Sequence, residues 1–355
     1  LFAETVMPLH EDVELDFALR RDDYSDFGDN LSAKAGIRWQ PQPWFLVRGS
    51  YSEGFRAPTL DQLFQAPAQS FAFAVDIEGC LDDPGRADDV AGCVQETDQQ
   101  HETFIAANPD LDAETSEQIS VGAVFDFEPL TGQQLNMSLD YYDITINDTI
   151  TAITTQDAFW LEHLGMLDDF DGVNVGRTAA GEVDIVDVTD VNFESFDTQG
   201  LDFNVQYRFG LGNFGDMGVE FNATHILNYN TRATPASPLQ DVAGFRNQPR
   251  NRADVQLRWM QGPHQVSSTT YWIDGQAQTE ALNPDTLRDE KIGEVPSYAV
   301  TNLNYSYETP WDGRITVGAN NVFDKDPVLD LNRESNIELY DYFGRVYTLQ
   351  YRQRF

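Results

Sequence analysis

The stretch Leu201–Phe209, with the sequence LDFNVQYRF, alternates without exception between apolar or aromatic residues and polar residues. Successive side chains of a β-strand point to opposite faces, so this stretch predicts a strand with one apolar face and one polar face. A segment of about ten residues with this pattern is typical of a membrane-spanning strand of a β-barrel.

The same period of two recurs along the whole chain. It predicts about thirteen strands, many of them close to the length of a tilted membrane-spanning strand. The clearest of the other alternating segments are Val13–Leu19, Ile37–Trp39, Ile119–Phe127, Leu135–Tyr141, Val219–Ala223, Val255–Trp259, Leu303–Tyr307, Ile315–Ala319 and Tyr347–Tyr351.

The connections between these segments alternate between short and long. The short polar turns lie at 40–43, 129–132, 210–213, 261–263 and 310–313. The long connections lie near 53–114, 151–190, 229–249, 279–295 and 327–340. Long loops at one end and tight turns at the other predict an all-β fold, an antiparallel up-and-down barrel that crosses an outer membrane.

The composition limits the possible partners. The chain has 355 residues, with 22 Lys and Arg against 59 Asp and Glu, which gives a formal net charge of −37. A chain of this sign repels phosphate, so nucleic acid is excluded as a general partner. The 41% hydrophobic content argues against disorder, but apolar runs such as Phe71–Val75 are much shorter than the roughly 18 residues of a transmembrane helix.

The ends of the chain and its cysteines add two expectations. The first residues, Leu1 to Val6, have no initiator Met and no signal-peptide pattern, so we expect the chain to begin inside a longer protein. The two cysteines, Cys80 and Cys93, have no metal-binding spacing. They predict a loop-closing disulfide in an oxidising compartment, and the alternative is two free thiols in a cytosolic loop.

Motifs for catalysis or cofactor binding are missing from the sequence. The five His residues are widely separated, and there is no HExxH, GxSxG, P-loop or GxGxxG pattern. Asp168–Gly172 resembles part of a calcium loop but has no closing Glu, so a solvated acidic loop is the simpler interpretation. We therefore expect no enzymatic activity, no metal and no cofactor.

Five segments resemble, in the same order, motifs of the TonB-dependent outer-membrane receptors. Tyr51–Phe64 (YSEGFRAPTLDQLF) is similar to the family's GFRAP segment, and Asn108–Ser116 (NPDLDAETS) is similar to its NPDL segment. The other three are Asp140–Ile144 (DYYDI), Thr198–Asp202 (TQGLD) and Gly318–Asp324 (GANNVFD). We interpret the first two motifs as structural, with Arg56 bonding loop carbonyls or carboxylates and Pro109 restricting the chain before the next strand.

The C-terminus also resembles this family. Tyr347, Leu349, Tyr351 and Phe355 share one register of the last strand, similar to the terminal aromatic strand that the barrel-assembly machinery recognises. Gln353 departs from the apolar residue that is usual in this register.

The resemblance implies a 22-stranded barrel with a plugged lumen, of which this chain would supply about thirteen strands without the plug. It implies a location in the outer membrane of a Gram-negative bacterium, in contact with lipid and lipopolysaccharide. It further implies active import of a scarce solute, either a ferric siderophore or similar chelate or an oligosaccharide. The TonB complex would act through an N-terminal part outside this chain.

Within this interpretation, aromatic and basic residues of the long loops are the candidates for solute contact. Aromatic rings stack on sugars or aromatic chelates, and arginine binds anionic ones. The candidates are Phe71, Phe73, Phe159, Trp160, Tyr229, Arg246, Tyr340 and Tyr342. The segment Thr155–Leu167 predicts a short helix that covers the barrel mouth. The alternatives are a passive porin-like or adhesin-like barrel and a secreted soluble β-protein that binds or cleaves glycans.

Overall fold

Antiparallel strands make up most of the protein. The computed structural model describes residues 1–25, 28–86, 89–94, 99–232, 237–284, 286–328 and 339–353, with the backbone alone at 194 and 278–282. The strands are β1 Phe2–His10, β2 Val13–Tyr24, β3 Gly28–Gln42, β4 Phe45–Arg56, β5 Ala68–Ala74, β6 Gln99–Ala106, β7 Glu114–Phe127, β8 Gln134–Ala152, β9 Asn174–Arg177, β10 Val183–Gly210, β11 Asp216–Thr231, β12 Gln240–Asp241, β13 Asn251–Gln261, β14 His264–Ile273, β15 Gln276–Asn283, β16 Arg288–Val295, β17 Tyr298–Glu308, β18 Gly313–Asn320 and β19 Val346–Gln353.

The helices are short and lie in the long connections. They are α1 Leu60–Phe64, α2 Ile77–Leu81, α3 Val90–Val94 and α4 Thr155–His163, with 3-10 turns η1 Leu167–Asp169 and η2 Gly212–Phe214. None of the helices in the described residues is long and apolar enough to cross a membrane.

Thirteen of the described strands form one antiparallel meander, which we call the wall. The pairing runs β1-β2-β3-β4-β7-β8-β10-β11-β13-β14-β17-β18-β19, and β1 and β19 are its two edges. The predicted antiparallel up-and-down fold is therefore confirmed.

The two faces of the wall differ in polarity because side chains alternate across a strand. On one face, apolar side chains such as Phe17, Val121, Leu139 and Phe203 are exposed. The opposite face carries Asp16, Asp140 and other polar residues of the intervening positions. An apolar outer band around a polar interior is the arrangement of a barrel in a bilayer.

Aromatic side chains cluster next to the short turns of the wall. Trp44 stacks on Phe127 with ring centroids 5.3 Å apart, and Phe45 stacks on Phe125 at 5.0 Å. The Trp259 indole N–H donates to the Phe214 carbonyl at 2.8 Å. Rings with one polar edge suit the boundary between hydrocarbon and water. The rim of the wall formed by these turns, which we call the short-turn edge, therefore has the features of an interfacial girdle.

The long connections lie at the opposite end of the strands, which we call the long-connection edge, and they contain folded structure. They span 57–113, 153–182, 232–250, 274–297 and 321–345, although not all of these residues are described. β10 begins at Val183, before the predicted end of its loop near 190, because residues 186–189 pair with β6 and residues 183–187 pair with β9. We call the described parts of 57–113 and 153–189 the cap.

Candidate functional site

An ion pair between two of the sequence motifs lies in the wall where the cap begins and ends. Arg56 ends β4 and Glu114 begins β7, directly opposite each other, and the guanidinium donates two hydrogen bonds to the carboxylate. The Glu114 side chain is only 7% exposed, and its Oε1 also accepts the Ile150 N–H of β8 at 2.8 Å. A single carboxylate thus holds three neighbouring strands together where the wall meets the cap.

Apolar packing strengthens this junction. Leu63 of α1, Leu111 of the NPDL motif and Ile150 of β8 form a small buried cluster. Thr59 and Gln62 form a capping box at the start of α1, so this five-residue helix begins at a defined position. The two motifs that stand far apart in the sequence therefore pack against each other, which supports a structural role for both.

The DYYDI and TQGLD motifs also meet in space. Tyr142 of β8 pairs with Gly200 of β10, and a Cβ atom at position 200 would overlap the Tyr142 ring. The glycine therefore leaves room for the aromatic ring.

The GANNVFD motif forms a local turn after β18. Asn321 is buried with a φ of 48°. Its side chain accepts the Lys325 N–H at 2.8 Å and donates to the Lys325 carbonyl at 2.8 Å. Asn is among the few residues that adopt positive φ readily, so the motif defines the geometry of this turn.

The cap has a hydrophobic core of its own. The predicted helix is present as α4 and starts at a capping box between Thr154 and Asp157. Its Phe159 side chain is fully buried and contacts the His101 ring edge-on at 4.8 Å. The core residues of this cluster are Ala74, Ile153, Ala158, Phe159, Leu161, Phe170, Val173, Val175, Val186, Val188 and Val191.

One arginine connects three parts of the cap. Arg177 of β9 donates to both Asp76 carboxylate oxygens at 2.9 and 2.6 Å and to both Glu162 oxygens at 2.7 and 2.6 Å. Burial by itself raises the pKa of the Asp76 carboxyl, but hydrogen bonds from Arg177 and the Gly79 N–H outweigh it, so the pKa lies below its ordinary value. In turn, the hydrogen bonds to Glu162 and Asp76 raise the pKa of the Arg177 guanidinium.

A disulfide between Cys80 and Cys93 links α2 to α3, with the Cα atoms 5.8 Å apart. Ile77 of α2 packs with Trp160 and with Leu287, which lies between β15 and β16. The disulfide-linked segment therefore rests on α4 and on a second long connection.

The predicted solute-contact residues fall into three groups by exposure. Phe71 and Phe73 of β5 are 57% and 66% exposed, and Tyr342 is also exposed. Phe159, Trp160 and Tyr340 are buried. The Tyr340 hydroxyl oxygen accepts a 2.6 Å hydrogen bond from the Gln276 side-chain amide, and its ring contacts the Tyr298 ring at 5.1 Å. The buried side chains stabilise the connections and present no surface to a solute in this conformation.

The remaining two candidates are half-buried. Tyr229 lies near the end of β11 and contacts the Phe196 ring at 5.5 Å. Arg246 lies in the connection between β11 and β13. The structure does not gather all eight residues in one place.

Sequence reasoning missed Phe104 and Arg177. Phe104 of β6 pairs with Gln69 and therefore shares the β5–β6 face that carries Phe71 and Phe73. Glu102 and Phe104 share one face of β6, so no alternation of polarity marks Phe104 in the sequence. Arg177 had no local signal either, because its partner Asp76 lies 101 positions away.

Two other predictions concern the C-terminus and metal binding. Tyr347, Leu349 and Tyr351 are exposed on the apolar face of β19, whereas Phe355 lies outside the described residues. Among the described residues, no cluster of three or more His, Cys, Asp or Glu is arranged to hold a metal ion.

A protein-family comparison agrees with this architecture. The family model described as "TonB dependent receptor-like, beta-barrel" matches residues 1–322. The chain belongs to the TonB-dependent receptor family.

Two curated relatives are receptors. The probable TonB-dependent siderophore receptor PirA of Acinetobacter baumannii is 22% identical over 358 residues, which cover 98% of this chain and 41% of the relative. A hemin receptor of Yersinia pestis is 24% identical over 213 residues, which cover 59% of this chain and 24% of the relative. The chain therefore spans less than half the length of these receptors.

Solved structures show the same fold. The siderophore receptor PirA from A. baumannii superposes with a TM-score of 0.66 at 18% identity, over 99% of this chain and 44% of that one. A mutant of the ferric enterobactin receptor PfeA from Pseudomonas aeruginosa, in complex with enterobactin, superposes with a TM-score of 0.65 at 17% identity, over 99% and 44%.

Proposed function

We propose that this chain forms part of the barrel of a TonB-dependent receptor that imports an iron chelate across the outer membrane of a Gram-negative bacterium. The observation that carries the proposal is the thirteen-strand wall, which matches the receptor family over residues 1–322 and bears a folded cap at its long-connection edge. The names of the relatives, which are siderophore and hemin receptors, favour a chelate over an oligosaccharide.

The parts that couple import to energy belong to the rest of the receptor in this proposal. Outer-membrane transporters with 22-stranded barrels have a plugged lumen, and the chain spans 41% of the length of PirA from A. baumannii. We assign the plug and the contact with the TonB complex to portions of the receptor outside these 355 residues. The wall supplies the conduit, and the cap supplies the outer binding surface.

The exposed face of the β5–β6 hairpin is the strongest candidate for solute contact. Phe71 and Phe73 lie two residues apart on this face, and Phe104 lies on the paired strand. The opposite face packs on α4, where Thr103 and Thr155 share a 3.0 Å hydrogen bond. A rigid aromatic surface binds a flat or aromatic chelate at low entropic cost. Tyr229, Arg246 and Tyr342 are secondary candidates.

The outer surface of the wall suits the other proposed partners. Its apolar band suits contact with lipid and lipopolysaccharide. Tyr347, Leu349 and Tyr351 on the edge strand β19 are accessible to the barrel-assembly machinery.

Uptake by living cells tests the transport proposal. Deletion of the gene for the complete receptor should abolish uptake of one ⁵⁵Fe-labelled chelate from a panel under iron limitation. Complementation should restore uptake only when TonB is present. Uptake that persists without TonB would identify a passive porin instead.

Substitutions in the hairpin test the binding surface. Phe71→Ala with Phe73→Ala should weaken binding of the imported chelate about tenfold, because each lost stacking contact contributes about 0.5–1.5 kcal/mol. Phe214→Ala is the matched control, because Phe214 is equally exposed but lies at the short-turn edge. An unchanged dissociation constant in the double variant would place the binding surface elsewhere.

A further inference from the structure

Several glycines on the polar face of the wall, which we call the lumenal face, lie beneath polar side chains. Arg48, Gly122 and Asp140 lie side by side on β4, β7 and β8. The Asp140 carboxylate occupies the space that a Cβ atom at Gly122 would fill. Arg48 Nε and Nη2 reach across the glycine and donate to Asp140 Oδ1 and Oδ2, both at 2.9 Å. The glycine thus creates a space in which a guanidinium and a carboxylate meet.

The same arrangement recurs on three other strands with one change of residue. Arg208, Gly218 and Arg258 lie side by side on β10, β11 and β13. Here Arg258 occupies the position that corresponds to Asp140. The atoms closest to a Cβ at Gly218 are the carbonyl oxygen and Cβ of Arg258, at 3.8 and 3.9 Å. No charged group covers this glycine, unlike Gly122.

Neither arginine forms an ion pair within the part of the chain that the structure describes. Arg258 Nη2 donates to Gln256 Oε1 at 3.0 Å, and the Arg208 guanidinium donates to no side chain among these residues. This is unexpected in a chain with 59 carboxylates and 22 basic groups. The position therefore leaves two guanidinium groups available to a ligand.

The two arginines line a cleft of about 480 Å³ near the short-turn edge of the wall. Amide side chains of Gln134, Gln206 and Gln256 also line it, and they supply further hydrogen-bond donors. Glu220 and Asp216 also line the cleft, but neither forms an ion pair with Arg208 or Arg258 among the described residues. A cleft of this size accommodates a small ligand or an inserted acidic side chain.

We propose that Arg208 and Arg258 form a carboxylate-binding site on the lumenal wall, with the bound carboxylate above Gly218. The ligand takes the place that Asp140 has above Gly122. Guanidinium groups bind carboxylates through paired hydrogen bonds, so two of them select a planar anion over a neutral solute. The carboxylate comes from a small solute in the lumen or from an acidic side chain of the receptor outside these 355 residues.

Citrate is the probe for the first source. The complete receptor in detergent is titrated with citrate by calorimetry, with sodium chloride at matched ionic strength as the reference. Arg208→Gln with Arg258→Gln should weaken citrate binding at least tenfold. Arg352→Gln is the matched control, because Arg352 is an exposed arginine on the same face of the wall. It pairs with Arg314, which is bound to Glu308, and not with a glycine. Glu220→Gln should strengthen citrate binding, since it removes a neighbouring negative charge.

Thermal unfolding identifies the second source. If the receptor itself supplies the carboxylate, citrate will not bind, and Arg208→Gln and Arg258→Gln will each lower the unfolding midpoint with non-additive effects. Arg258→Asp distinguishes the site from general destabilisation, because it recreates the Arg48–Gly122–Asp140 arrangement. With either source of the carboxylate, this variant should keep the wild-type midpoint and bind no citrate.

Two results would overturn the proposal. The first is citrate binding that the paired Gln substitutions leave unchanged. The second is no citrate binding together with unfolding midpoints equal to that of Arg352→Gln. Neither result affects the proposed transport function, which the TonB-dependent uptake assay tests separately.

Discussion

The wall and the cap bury their apolar side chains in different ways. In the wall, Phe203 and Val121 project from a single sheet layer and are exposed. In the proposed receptor, membrane hydrocarbon covers them. In the cap, Phe159 and Val186 are fully covered by other residues of the protein. Under this proposal the wall depends on the membrane, whereas the cap depends on its own packing and cross-links. Perturbations of the cap core should leave the wall intact.

The largest effect is expected in the cap core. Phe159→Ala should destabilise the cap by about 3–5 kcal/mol, because it removes a fully buried ring and leaves a cavity. Hydrogen exchange of the complete receptor in detergent should show lost protection in β5 and α4 and unchanged protection in β13. Phe73→Ala is the control, since this ring is exposed. Equal loss of protection in β13 would show that cap and wall unfold together.

The disulfide should contribute somewhat less. Replacing Cys80 and Cys93 by Ser should destabilise the cap by about 2–3 kcal/mol through the greater entropy of the open loop. Limited proteolysis should cut the cap faster in the double Ser variant. Reductant should accelerate cleavage of the wild-type cap and not that of the Ser variant. This role would be contradicted if neither the Ser substitutions nor the reductant changed the rate of cleavage.

The ion pair between Arg56 and Glu114 lies in the wall, next to the residues where the cap begins and ends. Arg56→Gln should cost about 1.5–3 kcal/mol, because it leaves the buried Glu114 carboxylate without its charged partner. Thermal unfolding should show a smaller loss for the double variant with Glu114→Gln than the sum of the two single losses. Additive losses would indicate that the two side chains act independently.

The smallest effect is a dependence of cap stability on pH. The pKa of Asp76 is lowered in the folded cap from an ordinary value of 3.8. This stabilisation is present above the ordinary pKa and is lost as the pH falls through the lower folded value. Proteolysis of the cap should therefore accelerate under acid conditions, below about pH 4. Asp76→Asn should be less stable at neutral pH and should lack this part of the acid response.

The two regions also differed in how well the sequence predicted them. The wall was predicted closely: period-two segments such as Leu201–Phe209 and Val255–Trp259 lie within β10 and β13. The helix at α4 was also predicted. The hairpin β5–β6, the parallel pairing of β6 with β10, and the burial of Phe159 and Trp160 were not.

The candidate site shows the same division. Phe71 and Phe73 were selected from their chemistry, and both side chains are exposed. The same chemistry selected Phe159 and Trp160, which the structure places in apolar clusters. An aromatic residue in a loop suits either environment, and only its tertiary neighbours determine which one it occupies.

The sequence by itself determined the strands of the wall, their alternating faces and the order of short and long connections. This was possible because neighbours within one strand set the alternation, and the bilayer imposes it on every strand. Only the tertiary structure decided that Arg177 meets Asp76 and Glu162, that Arg56 meets Glu114, and that Arg208 and Arg258 face each other across Gly218. These contacts join residues far apart in the chain, and no local pattern records such pairs.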